Sequence, residues 1–240
     1  MRIAILSDIH GNLNGLDACL ADLAAQGGAD LIVAAGDLCV DGPKPKKVLQ
    51  RLEEVKAQCV RGNTDRYLCQ TGESVGEDEA QLDWTRRDLG EKYLDWLRAL
   101  PFSVRIGEAG NELLVVHANP INDEEHLWPD ASDADLERLI GDEPAAAIAF
   151  GHLHVPYVRM WRGKMLVNVA SAGLPKDGDA RASYAILTER SSGWQVKHRR
   201  VPFDVKKVAT QLADCGIPGS ADLIATLRRH RYKRLKGFVP

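Results

Sequence analysis

The sequence is poor in several things, and each shortage removes a class of protein. Its five cysteines (Cys19, Cys39, Cys59, Cys69, Cys215) are odd in number and contain no Cys-x-x-Cys pair, so neither a disulfide framework nor a cysteine zinc site is expected. No apolar run approaches the roughly 20 residues that a membrane-crossing helix needs. The opening Met1-Arg2-Ile3-Ala4-Ile5-Leu6 meets Ser7-Asp8 too soon for a secretory leader. Reduced thiols and no leader point to the cytoplasm. Internal repeats and low-complexity linkers are also missing, and 240 residues do not demand more than one core.

Positive charge is scarce except at one end. The net charge is -3, but Arg228, Arg229, Arg231, Lys233, Arg234 and Lys236 lie together, leaving 25 basic against 34 acidic residues in the first 227. An acidic body argues against a phosphate track along nucleic acid, which needs lysine and arginine throughout. The basic tail reads as a solvated helix face. The expected organisation is one domain over 1–240, with insertions near 70–100 and 121–140 and a basic C-terminal helix over 222–236.

What the sequence does contain is apolar strands that end in polar residues. Arg2 to Leu6, Leu31 to Ala35 and Gln58 to Arg61 read as strands, separated by helices at Leu13 to Ala25 and Val48 to Val55. That alternation predicts parallel strands with crossover helices. After an acidic stretch from Gly72 to Glu79, helices are expected at Glu79 to Leu89 and Lys92 to Leu100. The remainder reads as β-rich, with short strands at Phe102 to Ile106, Glu112 to His117, Ala146 to Phe150, Met165 to Val169, Tyr184 to Thr188 and Trp194 to Val201. Late helices are expected at Asp204 to Asp214 and Asp222 to Arg231. A βαβ half followed by a mostly antiparallel half predicts two sheets face to face, with helices outside.

Five of these strands deliver metal-type ligands into the loop that follows: Asp8-Ile9-His10, Gly36-Asp37, Gly62-Asn63, His117 and Gly151-His152-Leu153-His154. Ligands of open α/β sheets collect beyond the carboxyl ends of strands, so segments almost 150 residues apart can converge. The glycines before Asp37, Asn63 and His152 would let backbone approach a crowded centre. Carboxylate, imidazole and carboxamide donors without thiolate suit Mn²⁺, Fe or Zn²⁺. Four of the seven histidines fall in these motifs. Each motif alone has an ordinary explanation as a cap, a turn or a core histidine; five in a row after apolar strands do not.

The order Asp-x-His, Gly-Asp, Gly-Asn, His, Gly-His-x-His resembles the calcineurin-like metallophosphoesterase superfamily, over roughly residues 1 to 200. The stretches Gly62-Asn63-Thr64-Asp65-Arg66-Tyr67 and Ser171-Ala172-Gly173-Leu174-Pro175 are similar to a bacterial and archaeal branch of diadenosine-tetraphosphatase-like and small phosphodiesterase proteins. The resemblance implies an α/β fold, a four-layer αββα sandwich of two mixed sheets. It implies two divalent ions, Mn²⁺ foremost and Fe or Zn²⁺ next: one held by Asp8, His10 and His154, the other by Asn63, His117 and His152, with Asp37 bridging. It implies hydrolysis of a phosphomonoester or phosphodiester, of a small nucleotide-like molecule, by water activated between the metals.

One departure stands out. The superfamily has Gly-Asn-His where this chain has Gly62-Asn63-Thr64, and a threonine hydroxyl is far too weak an acid to replace an imidazolium. Leaving groups are therefore good ones, as in aryl esters or phosphoanhydrides, or another group supplies the proton; Thr64→His would then raise turnover on poor leaving groups. Thr64, Asp65, Arg66 and His126 are the candidate catalytic residues, although Arg66 and His126 also read as solvated surface. Asn119 (with Pro120), Trp128 and Lys176 are candidates for contact with substrate. Trp128 lies in a polar insertion from Ile121 to Ala134 that forms a lid or is merely pinned to the body, and Lys176 and Arg181 either meet a phosphate or solvate their loop. Competing readings are a weakly catalytic scaffold that binds a protein partner, disfavoured by the complete ligand set, and a DNA nuclease, supported only by the basic tail.

Overall fold

A computed structural model describes residues 1–70 and 78–231. Three strands, β1 (Arg2–Leu6), β2 (Leu31–Ala35) and β3 (Gln58–Val60), alternate with α1 (Leu13–Ala25) and α2 (Pro45–Glu54). Asn12 caps α1 by accepting from Gly15 N at 3.1 Å, and Leu16, Cys19, Leu20 and Leu23 form its buried stripe. The helix expected from Val48 begins at Pro45, because proline at the first helical position is already set to helical φ. Then come α3 (Asn63–Cys69), α4 (Glu79–Leu89) and α5 (Glu91–Arg98). The acidic stretch from Gly72 lies mainly outside the described residues.

The second half contributes β4 (Ser103–Ile106), β5 (Leu113–Val116), α6 (Asp133–Leu139), β6 (Ala147–Phe150), β7 (Tyr157–Trp161) and β8 (Lys164–Asn168). It ends with β9 (Ala182–Arg190), β10 (Gly193–Val201), α7 (Val205–Asp214) and α8 (Ser220–Arg229). The two sheets run β10-β9-β1-β2-β3 and β4-β5-β6-β8-β7. The expectation of a mostly antiparallel second half needs correcting. Strands β5, β6 and β8 are mutually parallel, only β4 and β7 run against them, and the β9–β10 hairpin returns to the first sheet beside β1. Strand spacing cannot distinguish a hairpin from a crossover when the intervening chain is long. The basic helix expected over 222–236 stops at Arg229, where His230 turns into left-handed backbone; residues 232–236 of that expectation lie outside the described residues.

Side-chain alternation produces the layers. Ile3, Ile5, Val33, Ala35 and Val60 point one way, meeting Leu113, Val115, Ala147, Ala149 and Val167 of the other sheet. Ala4, Leu6 and Ala34 point the other way, under α1 to α5. On the far sheet Leu114, Val116, Ile148 and Phe150 pack against Leu136 and Leu139 of α6. The result is an αββα sandwich of two mixed five-stranded sheets. No helix among the described residues is long and apolar enough to cross a membrane.

The sheets touch at their carboxyl ends, where β1 meets β6. Gly151 N donates to the His117 carbonyl at 2.8 Å, and His152 N donates to Asp8 Oδ2 at 2.9 Å. A Cβ on Gly151 would stand 1.9 Å from Ser7 Oγ and 2.2 Å from Asp8 Oδ2, so only glycine permits this approach. Gly151→Ala should lower the unfolding free energy by about 1–3 kcal/mol through overpacking, read as a lower urea midpoint. An unchanged midpoint would mean that the two loops part without cost.

Candidate metal centre

Five of the expected ligands share an unusual backbone. Asp8, His10, Asp37, His152 and His154 have φ of 51°, 48°, 54°, 62° and 59°. Left-handed backbone at a residue with a side chain costs on the order of 1 kcal/mol and persists only where surrounding contacts impose it. Here those contacts run between segments: Asp8 N to the Gly36 carbonyl, His10 N to the Asp37 carbonyl, and Gly173 N to the Asp8 carbonyl, at 3.0 to 3.1 Å. Ser171 Oγ adds a 2.7 Å bond to that same Asp8 carbonyl. The kinks turn successive ligands out of the strand plane toward one point.

The seven residues converge as two adjoining groups. Asp8, His10 and His154 have ligand atoms within 4.8 Å of one another, and so do Asp37, His117 and His152. Asn63 Oδ1 joins the second group, 2.9 Å from His117 Nε2. Asp37 lies between them, with Oδ2 3.8 Å from His10 Nε2 and Oδ1 3.4 Å from His117 Nε2.

The hydrogen bonds at the rear fix the tautomers. His10 Nδ1 faces the Val40 carbonyl at 3.0 Å, His117 Nδ1 the Ala35 carbonyl at 2.9 Å, His152 Nε2 the Glu124 carbonyl at 2.8 Å, and His154 Nδ1 the Leu174 carbonyl. A carbonyl only accepts, so each of those ring nitrogens carries a proton, and in the neutral imidazole the other nitrogen is bare. Burial also pushes His10, His152 and His154 below the ordinary histidine value, toward neutrality. The bare atoms point at one another: His10 Nε2 and His154 Nε2 are 3.3 Å apart, and His117 Nε2 and His152 Nδ1 3.1 Å. Asp8 Oδ1, 3.1 Å from His154 Nε2, is buried without a hydrogen-bond partner, because both atoms are acceptors. Lone pairs held this closely repel unless a cation stands among them, and the donor set of oxygen and imidazole nitrogen fits a pair of divalent ions.

The candidate catalytic residues are committed to other contacts. Thr64, 3% exposed, gives its hydroxyl to Asp37 Oδ1 at 2.8 Å and its backbone N–H to the same oxygen at 3.0 Å. It orients Asp37, through a hydroxyl bond that histidine at this position would not reproduce. Asp65 is fully buried and accepts from the backbone N–H groups of Gly62, Asp37 and Leu38 at 2.9 to 3.0 Å, tying two ligand loops together. Arg66 makes a two-pronged bond to Asp123 at 2.9 and 3.0 Å and also reaches Glu124. His126 does adjoin the centre, its ring 4.1 Å from that of His152 and stacked on Trp128 at 5.3 Å. Burial lowers His126 to about 4, so it is neutral at pH 7 and is no imidazolium acid.

Among the candidates for substrate contact, Asn119 is engaged inside its own loop. It is fully buried, accepting from Ile121 N and Asn122 N and donating to the Glu125 carbonyl at 2.8 Å, so it shapes the insertion from within. Trp128 packs against the core beside α6, pinning the insertion to the body. Lys176 shares a cavity with His10, and its charge acts on His10, His154 and His126. Arg181 pairs with Asp179. Sequence reasoning missed Glu124, whose carbonyl orients His152 and whose carboxylate meets Tyr67; only its nearness to His126 hinted at it.

Protonation sets the second group apart from the first. Burial pulls His117 down, but Asp37 and Asp8 beside it prevail and raise it above 6.5; burial likewise raises Asp37. A raised histidine takes its proton as the pH falls through a window that opens above 6.5, whereas His10 and His154 stay neutral further down. Metal analysis after dialysis between about pH 5 and 8 should show two-step release, the Asp37–His117–His152 group emptying first. Simultaneous release would contradict this ordering.

Comparison with known proteins agrees with this geometry. The calcineurin-like phosphoesterase superfamily domain matches residues 1–192. An uncharacterized protein of Methanocaldococcus jannaschii is 30% identical over 237 residues, covering 90% of this chain and 93% of its own length. The phosphodiesterase YfcE of Escherichia coli K12 is 28% identical over 198 residues, covering 78% of this chain and 87% of its own. The crystal structure of a metallophosphoesterase from Sphaerobacter thermophilus aligns with a TM-score of 0.78 at 27% identity, covering 96% of this chain and 99% of that one. This chain belongs to the calcineurin-like phosphoesterase superfamily.

Proposed function

We propose that the chain is a binuclear, divalent-metal-dependent phosphoesterase that hydrolyses a monoester or diester of a small, nucleotide-like molecule. The observation that carries this reading is the set of imidazole nitrogens aimed at one another, with Asp8 Oδ1 buried and unpaired. Asp8, His10 and His154 would hold one ion, Asn63, His117 and His152 the other, and Asp37 would face both. Mn²⁺ is the ion of choice, with Fe or Zn²⁺ as substitutes. When bound, such a pair supplies Lewis acidity and makes water nucleophilic at neutral pH.

The chain's own residues have narrower tasks. Thr64 and Asp65 fix the side chain and backbone of Asp37, and four backbone carbonyls fix the imidazoles. Lys176 adds positive charge beside His10, where a phosphate would sit. In the reaction a water oxygen bonds phosphorus, the ester P–O bond breaks, and the leaving oxygen keeps the electron pair. With His126 neutral, Thr64 engaged with Asp37 and Arg66 paired with Asp123, these three offer no acid to that oxygen, so good leaving groups are favoured. A catalytically weak scaffold for a protein partner is not favoured, since nothing in such a role calls for seven convergent ligands.

Exhaustive chelation should abolish hydrolysis of bis-p-nitrophenyl phosphate and added Mn²⁺ should restore it; turnover that survives removal of metal would overturn the reading. Thr64→Val should weaken metal affinity by about 10–100-fold, as losses behind a ligand do, and Thr64→Ser should rescue it. Calorimetric titration with Mn²⁺ would measure both.

A further inference from the structure

Residues beyond 192 lie outside the superfamily match, yet the C-terminal helices are built onto the site. Val208 and Leu212 of α7 and Leu227 of α8 form one buried cluster with Leu174. Leu174 is the residue whose carbonyl orients His154. Past α8 the chain continues against the loop after Leu174: Gly178 N donates to the His230 carbonyl at 2.5 Å, and the backbones of Asp177 and Arg231 pair as an isolated antiparallel β-bridge. The helices and their tail therefore fix the position of the loop that carries Lys176.

A cavity of about 120 Å³ lies between these helices and the centre. Its lining divides by chemistry. His10, Asn12, Asp41 and Lys176 are polar or charged, while Leu174, Leu223 and Leu227 are apolar, with Thr226 among them. A dry cavity of about 150 Å³ lined by Leu, Ile and Phe is large enough for one benzene ring. The space here is of the order of a single ring. An apolar group entering it leaves water on contact with leucine side chains, and its phosphate emerges on the side of Lys176 and His10.

We propose that α7 and α8 form a leaving-group wall, so that this cavity seats a compact, ring-sized apolar ester group while the phosphate lies toward Lys176 and His10. This rests on the phosphoesterase reading and narrows only its departing group, to a single ring and a phenol above all, with any nucleotide-like part remaining on the phosphate. A phenol ionises near pH 10, so phenolate departs with its electron pair and needs no proton donor.

Calorimetric titration of the Mn²⁺-loaded protein with phenylphosphonate and with methylphosphonate tests the wall directly. Phenylphosphonate should bind about tenfold more tightly, the order of discrimination an apolar pocket provides. Equal affinities would overturn the proposal, and binding of neither would remove the phosphoesterase reading along with it. Thr226→Trp, which places a ring in the cavity from the α8 side, should bring the phenyl-to-methyl ratio toward one, with Leu223→Phe as a second filling variant. A preference for phenyl that persists in either variant, shown folded by circular dichroism, would also overturn the proposal.

Discussion

Seven acceptors are held at the junction of two sheets with their lone pairs facing inward, and much else in the molecule exists to hold them there. Imidazole nitrogens 3.1 and 3.3 Å apart and an unpaired buried carboxylate oxygen form an arrangement that the chain alone does not favour. Removing such groups from water without partners is costly. The left-handed backbone at Asp8, His10, Asp37, His152 and His154 adds strain in the same place. Opposing both are bonds between segments: carbonyls behind each histidine, Asp65 joining two loops, and Ser171 under Asp8. The centre is thus a strained cage whose rear face is over-determined by hydrogen bonds and whose front face is complementary to cations.

How much of this was legible in the sequence follows from the range of each interaction. Apolar strands ending in Asp, Asn or His are local patterns, and they disclosed the strand ends and the residues that meet there. Helices α1 and α4 were legible to the residue because their caps and apolar stripes are local too. Strand β7 went unread because its alternation is inverted: Val158 and Met160 face solvent, while Arg159 turns back to the carbonyls of Pro129 and Ala131. Helix α3 went unread because its start coincides with the ligand Asn63, so the same residues carry two meanings.

The roles of Thr64, Asp65 and Arg66 were beyond sequence for another reason. Their partners Asp37, Leu38 and Asp123 are 27 to 57 positions away, and only the folded chain shows that these side chains are already engaged. The same holds for Asn119, which looked like a rim residue because it follows His117 and is in fact the internal hub of its loop. Polar residues beside a ligand are as often its scaffolding as its chemistry, and burial separates the two.

The contact between His10 and His154 spans 144 positions, and each ring comes from a different sheet. Such a pairing closes only after both halves of the chain have docked, since long loops must be ordered before their ends can meet. An ion seated there would act as a clasp across the sandwich. It would bind the finished protein and not its halves, lending stability in proportion to the logarithm of its free concentration. The durability of the whole molecule would then follow the metal supply of its surroundings.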